Sequence, residues 1–264
     1  KHFKSNGIYT AMIINDKEEE TIILKKSKDE SINPNRKDLV HYIDNPTTNK
    51  MRSNLEEINT LLDRTWIDIE ISDKELIKLN QAMDREPDKS PIDFTRRKLR
   101  RIFNNSSFEN GGRFYHGWWQ EIPSTYRKYI TISGKLTEEE DFSGIHIRML
   151  YAFEGIELGS EDTYLIEGYG TKYRKQVKVA LNTIINAKTK KAAISSINKE
   201  LTLPKNTSAE DLFNQLKLKH PSIAKYFATG IGIELQYTDS QIAEKVILRL
   251  ARDDIVALPM HDSF

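Results

Sequence analysis

The sequence contains no cysteine, which excludes disulfides, thiolate zinc sites, iron–sulfur clusters and cysteine nucleophiles together. No apolar run approaches the roughly 18 to 20 residues needed to span a bilayer, and the opening KHFKSNGIYT holds no signal-peptide core. No membrane partner and a cytoplasmic location are therefore expected. Excess charge of one sign is missing too: 40 Lys+Arg stand against 39 Asp+Glu, so net charge names no partner and says nothing about oligomeric state. The six histidines form no i, i+4 pair and no HExxH, and GYGTKYRK departs from the G-x4-GK[ST] phosphate loop. There is no internal repeat or low-complexity tract. The chain has no initiator Met and stops at Phe264, as a piece of a longer chain would.

What is present fits a soluble globular protein: 264 residues, 38% apolar and 30% charged, enough for one large domain or two closely packed ones. Two β-type runs within 8–26 predict a hairpin or edge pair. A polar connector follows to about 48. Helices are expected at about 51–64 and 73–84, with the short alternating strand WIDIEIS between them. Asp68-x-Glu70 in that strand has the spacing of an exonuclease metal motif, but an exposed alternating strand accounts for it. This first third, 1–90, reads as an accessory or thumb-like region. From Pro91 the composition changes. Between 91 and 135 nine Lys/Arg oppose three Asp/Glu, and between 172 and 191 seven Lys/Arg meet no acid. FTRRKLRRIFNN reads as a basic helix with Phe94, Leu99, Ile102 and Phe103 on its apolar side. Segregated basic stretches are the electrostatic footprint of a polyanion partner, although solvated helix faces give the same pattern.

Two carboxylates stand out. KYITISGKLTEEEDFSGIHIRMLY (128–151) describes a strand, a Gly turn and then Asp141 at the entry to a helix. IVALPMHDSF (255–264) is an apolar β-run leading into His261 and Asp262. Taken singly, Asp141 reads as a cap for the following helix and Asp262 as a turn residue. Brought together at two strand ends, they would supply the oxygen ligands that Mg²⁺ prefers, completed by water and substrate phosphates. A third element, RKQVKVALNTIINA (174–187), repeats polar residues at i, i+4 and i+8. Arg174, Lys178 and Asn182 then form one stripe of about 12 Å along a helix, suited to a triphosphate.

These segments resemble a known family. DFSGIHIRMLY is similar to the palm motif DYSQIELR of family A DNA polymerases, and HDSF to their HDE or to the HDS of the related single-subunit phage-type RNA polymerases. RKQVKVALNTIINA resembles the fingers helix, R-x3-K-x3-[MFN]-x3-[YF]-G. GGRFYHGWWQEIP (111–123) resembles the GRxSS…NLQNIP segment that contacts the primer–template, and LQYTDSQIAEKVI (235–247) the MQGTAADIIKRAM helix along the template. The five matches fall in order over a little over half the chain, and a reduced phage- or mobile-element-type member is the best fit.

The resemblance implies an α+β fold like a right-hand polymerase, helix-rich overall, with an antiparallel palm sheet and helical fingers. The palm would comprise 91–152 and 233–264, with small fingers at 153–232. The implied activity is template-directed nucleotidyl transfer, DNA-directed DNA synthesis first. Asp141 and Asp262 would be catalytic and hold two Mg²⁺ ions, which Mn²⁺ could replace. Arg174, Lys178, Asn182 and His146 would bind the nucleoside triphosphate. Arg113, Gln120, Gln236 and His261 would bind the primer–template nucleic acid, and Arg148 would pair with phosphate or brace the palm.

Departures keep alternatives open. His146 replaces the Glu that crowds the sugar 2′ position, which allows a priming or RNA-synthesising polymerase. Asn186 and Ala187 replace Tyr-Gly at the end of the fingers motif, and the second strand of the HDE hairpin is missing, which allows a non-extending nucleic-acid-binding protein. Tyr115, Trp118 and Trp119 read first as core residues and second as a stacking platform.

Overall fold

In the computed structural model, which describes residues 20–32, 37–84, 92–260 and 263–264, each element forms where local chemistry favours it. β1 (Ile22–Leu24) is the second of the two apolar runs; the first lies outside the described residues. Helix α1 (Pro46–Arg64) starts on Asn45, whose side chain accepts hydrogen bonds from the backbone N–H groups of Thr47 and Thr48, with Pro46 at the first helical position. Its buried stripe of Met51, Leu55, Ile58 and Leu62 keeps helical spacing. β2 (Ile67–Ile69) and α2 (Asp73–Asp84) follow where the sequence predicts them.

The basic helix expected over FTRRKLRRIFNN (94–105) is not formed. Residues 92–99 run without helix into β3 (Arg100–Asn104), which pairs with β4 (Ser107–Tyr115). The reason is a period of two: Leu99, Arg101 and Phe103 are buried, so the arginine that reads as a solvated helix residue points into the core. A short helix, α3 (Ser124–Arg127), leads to β5 (Ile130–Ile132) and β6 (Lys135–Leu136). The remaining helices are α4 (Ile145–Phe153), α5 (Arg174–Asn186), α6 (Lys190–Glu200), α7 (Ala209–Lys219) and α8 (Gly232–Arg252).

The fold is mixed α+β. One three-stranded sheet has the order β1-β3-β4, the other β2-β5-β6. The expected antiparallel sheet is corrected in one respect: β1 runs parallel to β3, because α1, β2 and α2 form the long crossover that a parallel pair requires. The run at 255–260 forms no strand, and only Met260 makes an isolated bridge. Pro259 has no N–H to offer a ladder; its carbonyl instead accepts from Trp119 Nε1 (3.2 Å) and Gln120 Nε2 (2.8 Å).

Among the described residues, two hydrophobic clusters organise the fold. The first joins β1, α1, β2, α2, β3, β4, Trp118 and Trp119 with Ala243, Ile247 and Leu248 of α8 and with Leu258 and Met260. The second joins α4, α5, α6 and α7 with Leu235 at the other end of α8. The 21-residue α8 therefore belongs to both. Described residues before 91 share the first cluster with those after it, so the compositional boundary at Pro91 is not a break in packing.

Candidate active site and nucleic-acid interface

The two segments that carry the candidate catalytic aspartates meet through backbone pairing. Glu140 and Phe264 exchange both main-chain hydrogen bonds (3.0 and 3.1 Å), and Asp141 opposes Ser263 in an antiparallel bridge. Side chains reinforce the pairing: Ser263 Oγ donates to Glu139 Oε1 at 2.7 Å, and the rings of Phe142 and Phe264 meet edge to face at 6.0 Å. Met260 and Ser263 exchange both of their main-chain bonds as well (2.8 and 3.2 Å). Between them in sequence come His261 and Asp262, which lie outside the described residues. Asp141 itself is exposed, on a segment whose neighbouring acids, Glu139 and Glu140, offer only oxygen donors. That donor class suits Mg²⁺. Among the described residues no group of three or more His, Asp or Glu forms a metal site; the donor set expected from the sequence also requires Asp262.

Arg113 does not face solvent as a duplex grip. Its side chain is only 14% exposed; the guanidinium donates from Nε to Asp239 Oδ2 on α8 at 2.7 Å and lies 3.3 Å from His146 Nε2 on α4. A guanidinium has no acceptor, so this contact requires a lone pair on His146 Nε2 and leaves the proton of a neutral ring on Nδ1. Strand β4, α4 and α8 are thus tied at one point, and the sugar-selecting candidate His146 is held by the residue expected to touch nucleic acid. Beneath it lies a second tie. Arg101, fully buried, forms an ion pair with Glu244 of α8 (3.0 Å), while its Nε donates to the Gly112 carbonyl (2.8 Å) and a terminal nitrogen to Ser240 Oγ (3.1 Å). Burial pushes the Arg101 guanidinium below its usual range, and Glu244 opposes that shift. Asn54 of α1 donates to the same carboxylate at 3.1 Å. Gly112, at φ +76°, admits no side chain: a Cβ would sit 2.5 Å from the Phe103 ring.

Gln120 is also turned inward. Its amide donates to the carbonyls of Phe114 (3.0 Å) and Pro259 (2.8 Å), and its Oε1 accepts from the Gly117 N–H. It anchors the chain just ahead of the 260–264 segment. Trp118 and Trp119 are core residues, both fully buried. Gln236 is half-buried near the start of α8.

On α5 the expected stripe forms. Val177, Ala180, Leu181, Ile184 and Ile185 are buried, which turns Arg174, Lys178 and Asn182 outward. Arg174 Nε binds Asp162 at 2.5 Å, and the guanidinium and the Lys178 ammonium share the ring of Tyr164, at 5.1 and 5.9 Å from its centroid. The bond from Arg174 holds the Asp162 carboxyl below the usual carboxylate range. A cleft of about 290 Å³ lies here, lined by Ser143, Gly144, Arg148, Asp162, Tyr164 and Arg174. The residues directly after Asp141 and the start of α5 therefore border one space. Asn182 opens onto a different groove, of about 440 Å³, between α5 and α6.

Sequence reasoning missed Asp162, Asp239 and Glu244. Comparison with protein-family models, with curated proteins and with solved structures finds no match to this chain.

Proposed function

We propose that the chain is a template-directed nucleotidyltransferase with a family A-like palm and small fingers. The observation that carries this reading is the pairing of Asp141 with Ser263, the residue after Asp262. It brings together the two segments, far apart in sequence, that the proposal needs side by side. The second support is the cleft shared by Ser143, Gly144, Ile147, Arg148 and Arg174.

On this reading Asp141 and Asp262 hold two Mg²⁺ ions, which would lower the pKa of a primer 3′-hydroxyl and offset the charge of the departing pyrophosphate. Arg174 and Lys178 attract the triphosphate along one helix face. His146, fixed by Arg113, borders the sugar. Arg113 and Gln120 act as positioning residues: one orients His146, the other anchors the chain that leads to Asp262. Nucleic acid is gripped by Gln236, by His261 and by surface lysines.

One observation favours a second reading, a nucleic-acid-binding protein that does not extend. Arg174 is already paired with Asp162, so the triphosphate must compete for it. Primer extension with Mg²⁺ on DNA and RNA templates, with ribo- and deoxyribonucleotides, separates the readings. Extension by the wild-type chain, abolished in both Asp141→Ala and Asp262→Ala with duplex binding retained, is the expected result. Extension at near wild-type rate in either variant would refute the two-metal assignment, and duplex binding with no incorporation by the wild type would favour the second reading.

A further inference from the structure

Lysines from separate stretches converge where the two hydrophobic clusters meet. Backbone bonds set the frame: Lys25 N–H donates to Phe103 O, Ser106 N–H to Lys25 O, and Lys26 N–H to Asp38 O, while Lys25 opposes Leu39. Lys25 and Lys26 and the residues around Asp38 thereby lie against the β3–β4 turn, and Lys37 Nζ donates at 2.5 Å to Asn104 Oδ1, at the end of β3. From the other cluster comes Lys188, at the junction of α5 and α6, whose Nζ pairs with Asp29 at 3.2 Å. Lys28 precedes Asp29 and is exposed.

The acids nearby do not balance this gathering. Asp29 is engaged by Lys188 and Asp38 by Lys26 (3.8 Å), and the Glu30 carboxylate accepts from the Ser27 N–H. Lys37 has an amide oxygen for a partner instead of a carboxylate. Burial, and then the like charges of Lys25, Lys28 and Lys188, hold its ammonium below the ordinary lysine range. Folding alone does not require such an arrangement, and an added polyanion would relieve it.

We propose that Lys25, Lys28, Lys37 and Lys188, with the Asn104 amide, form a binding site for the sugar–phosphate backbone of a nucleic acid strand, bridging the sheet-bearing cluster and the helical cluster. Lysine suits this role because it meets phosphate as a mobile point charge without demanding one geometry. The site rests on reading the chain as one that handles nucleic acid, but it needs no catalysis.

The experiment measures binding of a fluorescein-labelled 20-mer oligodeoxythymidine and of a 20-base-pair duplex as a function of salt. The wild type is compared with Lys37→Gln/Lys188→Gln and with Lys25→Gln/Lys28→Gln. Each pair of substitutions should lower the slope of log K against log salt by roughly 1.5, and Lys37→Gln should unfold at the same temperature or higher because repulsion is relieved. The two arms show whether a single strand or a duplex is the ligand. Unchanged slopes in both pairs, or no binding of either probe by the wild type, would overturn the site. So would equal binding of phosphatidylserine vesicles lost through the same substitutions. Primer extension is scored separately: extension with unchanged salt slopes removes this site and leaves the proposed activity, whereas altered slopes without extension do the reverse.

Discussion

Removing Glu244 is the sharpest test of how α8 is held. The carboxylate lies 3.0 Å from a terminal nitrogen of Arg101, with the arginine side chain fully buried and the glutamate 10% exposed. At an effective dielectric near 20, two unit charges at that distance attract by about 5 kcal/mol. Taking both out of water opposes this with several kcal/mol per ion, so the intact pair contributes little net stability. Glu244→Ala changes the balance: Arg101 stays buried without its counter-charge, and Asn54 loses its acceptor. A loss of about 3–5 kcal/mol follows, a large share of the 5–15 kcal/mol that holds a typical domain. For a chain of this size it lowers the melting temperature by roughly 6–20 °C. Replacing both partners, Arg101→Met with Glu244→Leu, removes the buried charge and should recover most of the loss. The recovery is incomplete because Gly112 O and Ser240 Oγ lose the donors Arg101 supplied. Urea denaturation of the wild type, Glu244→Ala, and the cycle of Arg101→Met, Glu244→Leu and their double variant measures both effects. A cost below about 1 kcal/mol for Glu244→Ala, or a double variant as unstable as the sum of the singles, would refute the argument.

Two further outcomes are expected. Asp162→Asn should tighten binding of inorganic tripolyphosphate about two- to fivefold, since the carboxylate competing for Arg174 is partly exposed and its pairing correspondingly weak; isothermal titration calorimetry measures it, and unchanged affinity would dissociate Arg174 from anion binding. Stability should fall on acidification below about pH 6.5. Burial holds His220 below the ordinary histidine range, as it does His116, and His220 Nε2 lies 3.0 Å from the Thr163 carbonyl while Nδ1 meets the Tyr151 hydroxyl at 2.9 Å. The unfolded chain therefore takes up protons first as pH falls, so stability is complete above the unfolded pKa and is lost below it. Thermal melts from pH 7.5 to 5 should show a shallower dependence in His220→Gln, and an identical slope would exclude His220 as a contributor.

Where burial and charge agreed, the sequence was legible. The helices α1, α2 and α5 follow apolar residues at 3.6 spacing with caps or flanking breaks, and the Arg174–Lys178–Asn182 stripe emerges beside the buried face of Val177, Leu181 and Ile184. What misled was charge on a buried face. Arg101 makes a run of basic residues look like a solvated helix, when alternation of Leu99, Arg101 and Phe103 into the core makes it a strand. Its acidic partner left a readable trace: Glu244 lies four residues from Ser240 and from Leu248, all three buried on α8, and Asp239 likewise falls between Leu235 and Ala243. A carboxylate within an otherwise buried stripe demands a cation across the interface, although one sequence does not say which. Asp162 left no such trace, because it sits in a loop where an acid is ordinary.

Among the described residues the two most buried ion pairs, Arg101–Glu244 and Arg113–Asp239, both use arginine. Arg101 and Arg113 each have a carboxylate partner inside the fold, and Arg174, Arg96 and Arg252 pair with Asp162, Glu121 and Glu57 nearer its surface. The planar guanidinium satisfies several acceptors at once, as Arg101 does with Glu244, Gly112 and Ser240, and so it is the cation a protein can bury. Lys28, Lys175 and Lys191 are exposed. Four acids, Glu244, Asp239, Glu57 and Asp162, join α8 and α5 to their neighbours through these arginines. Net charge sums over all these groups and hides where each sits, so a near-zero value is no argument against a polyanion partner.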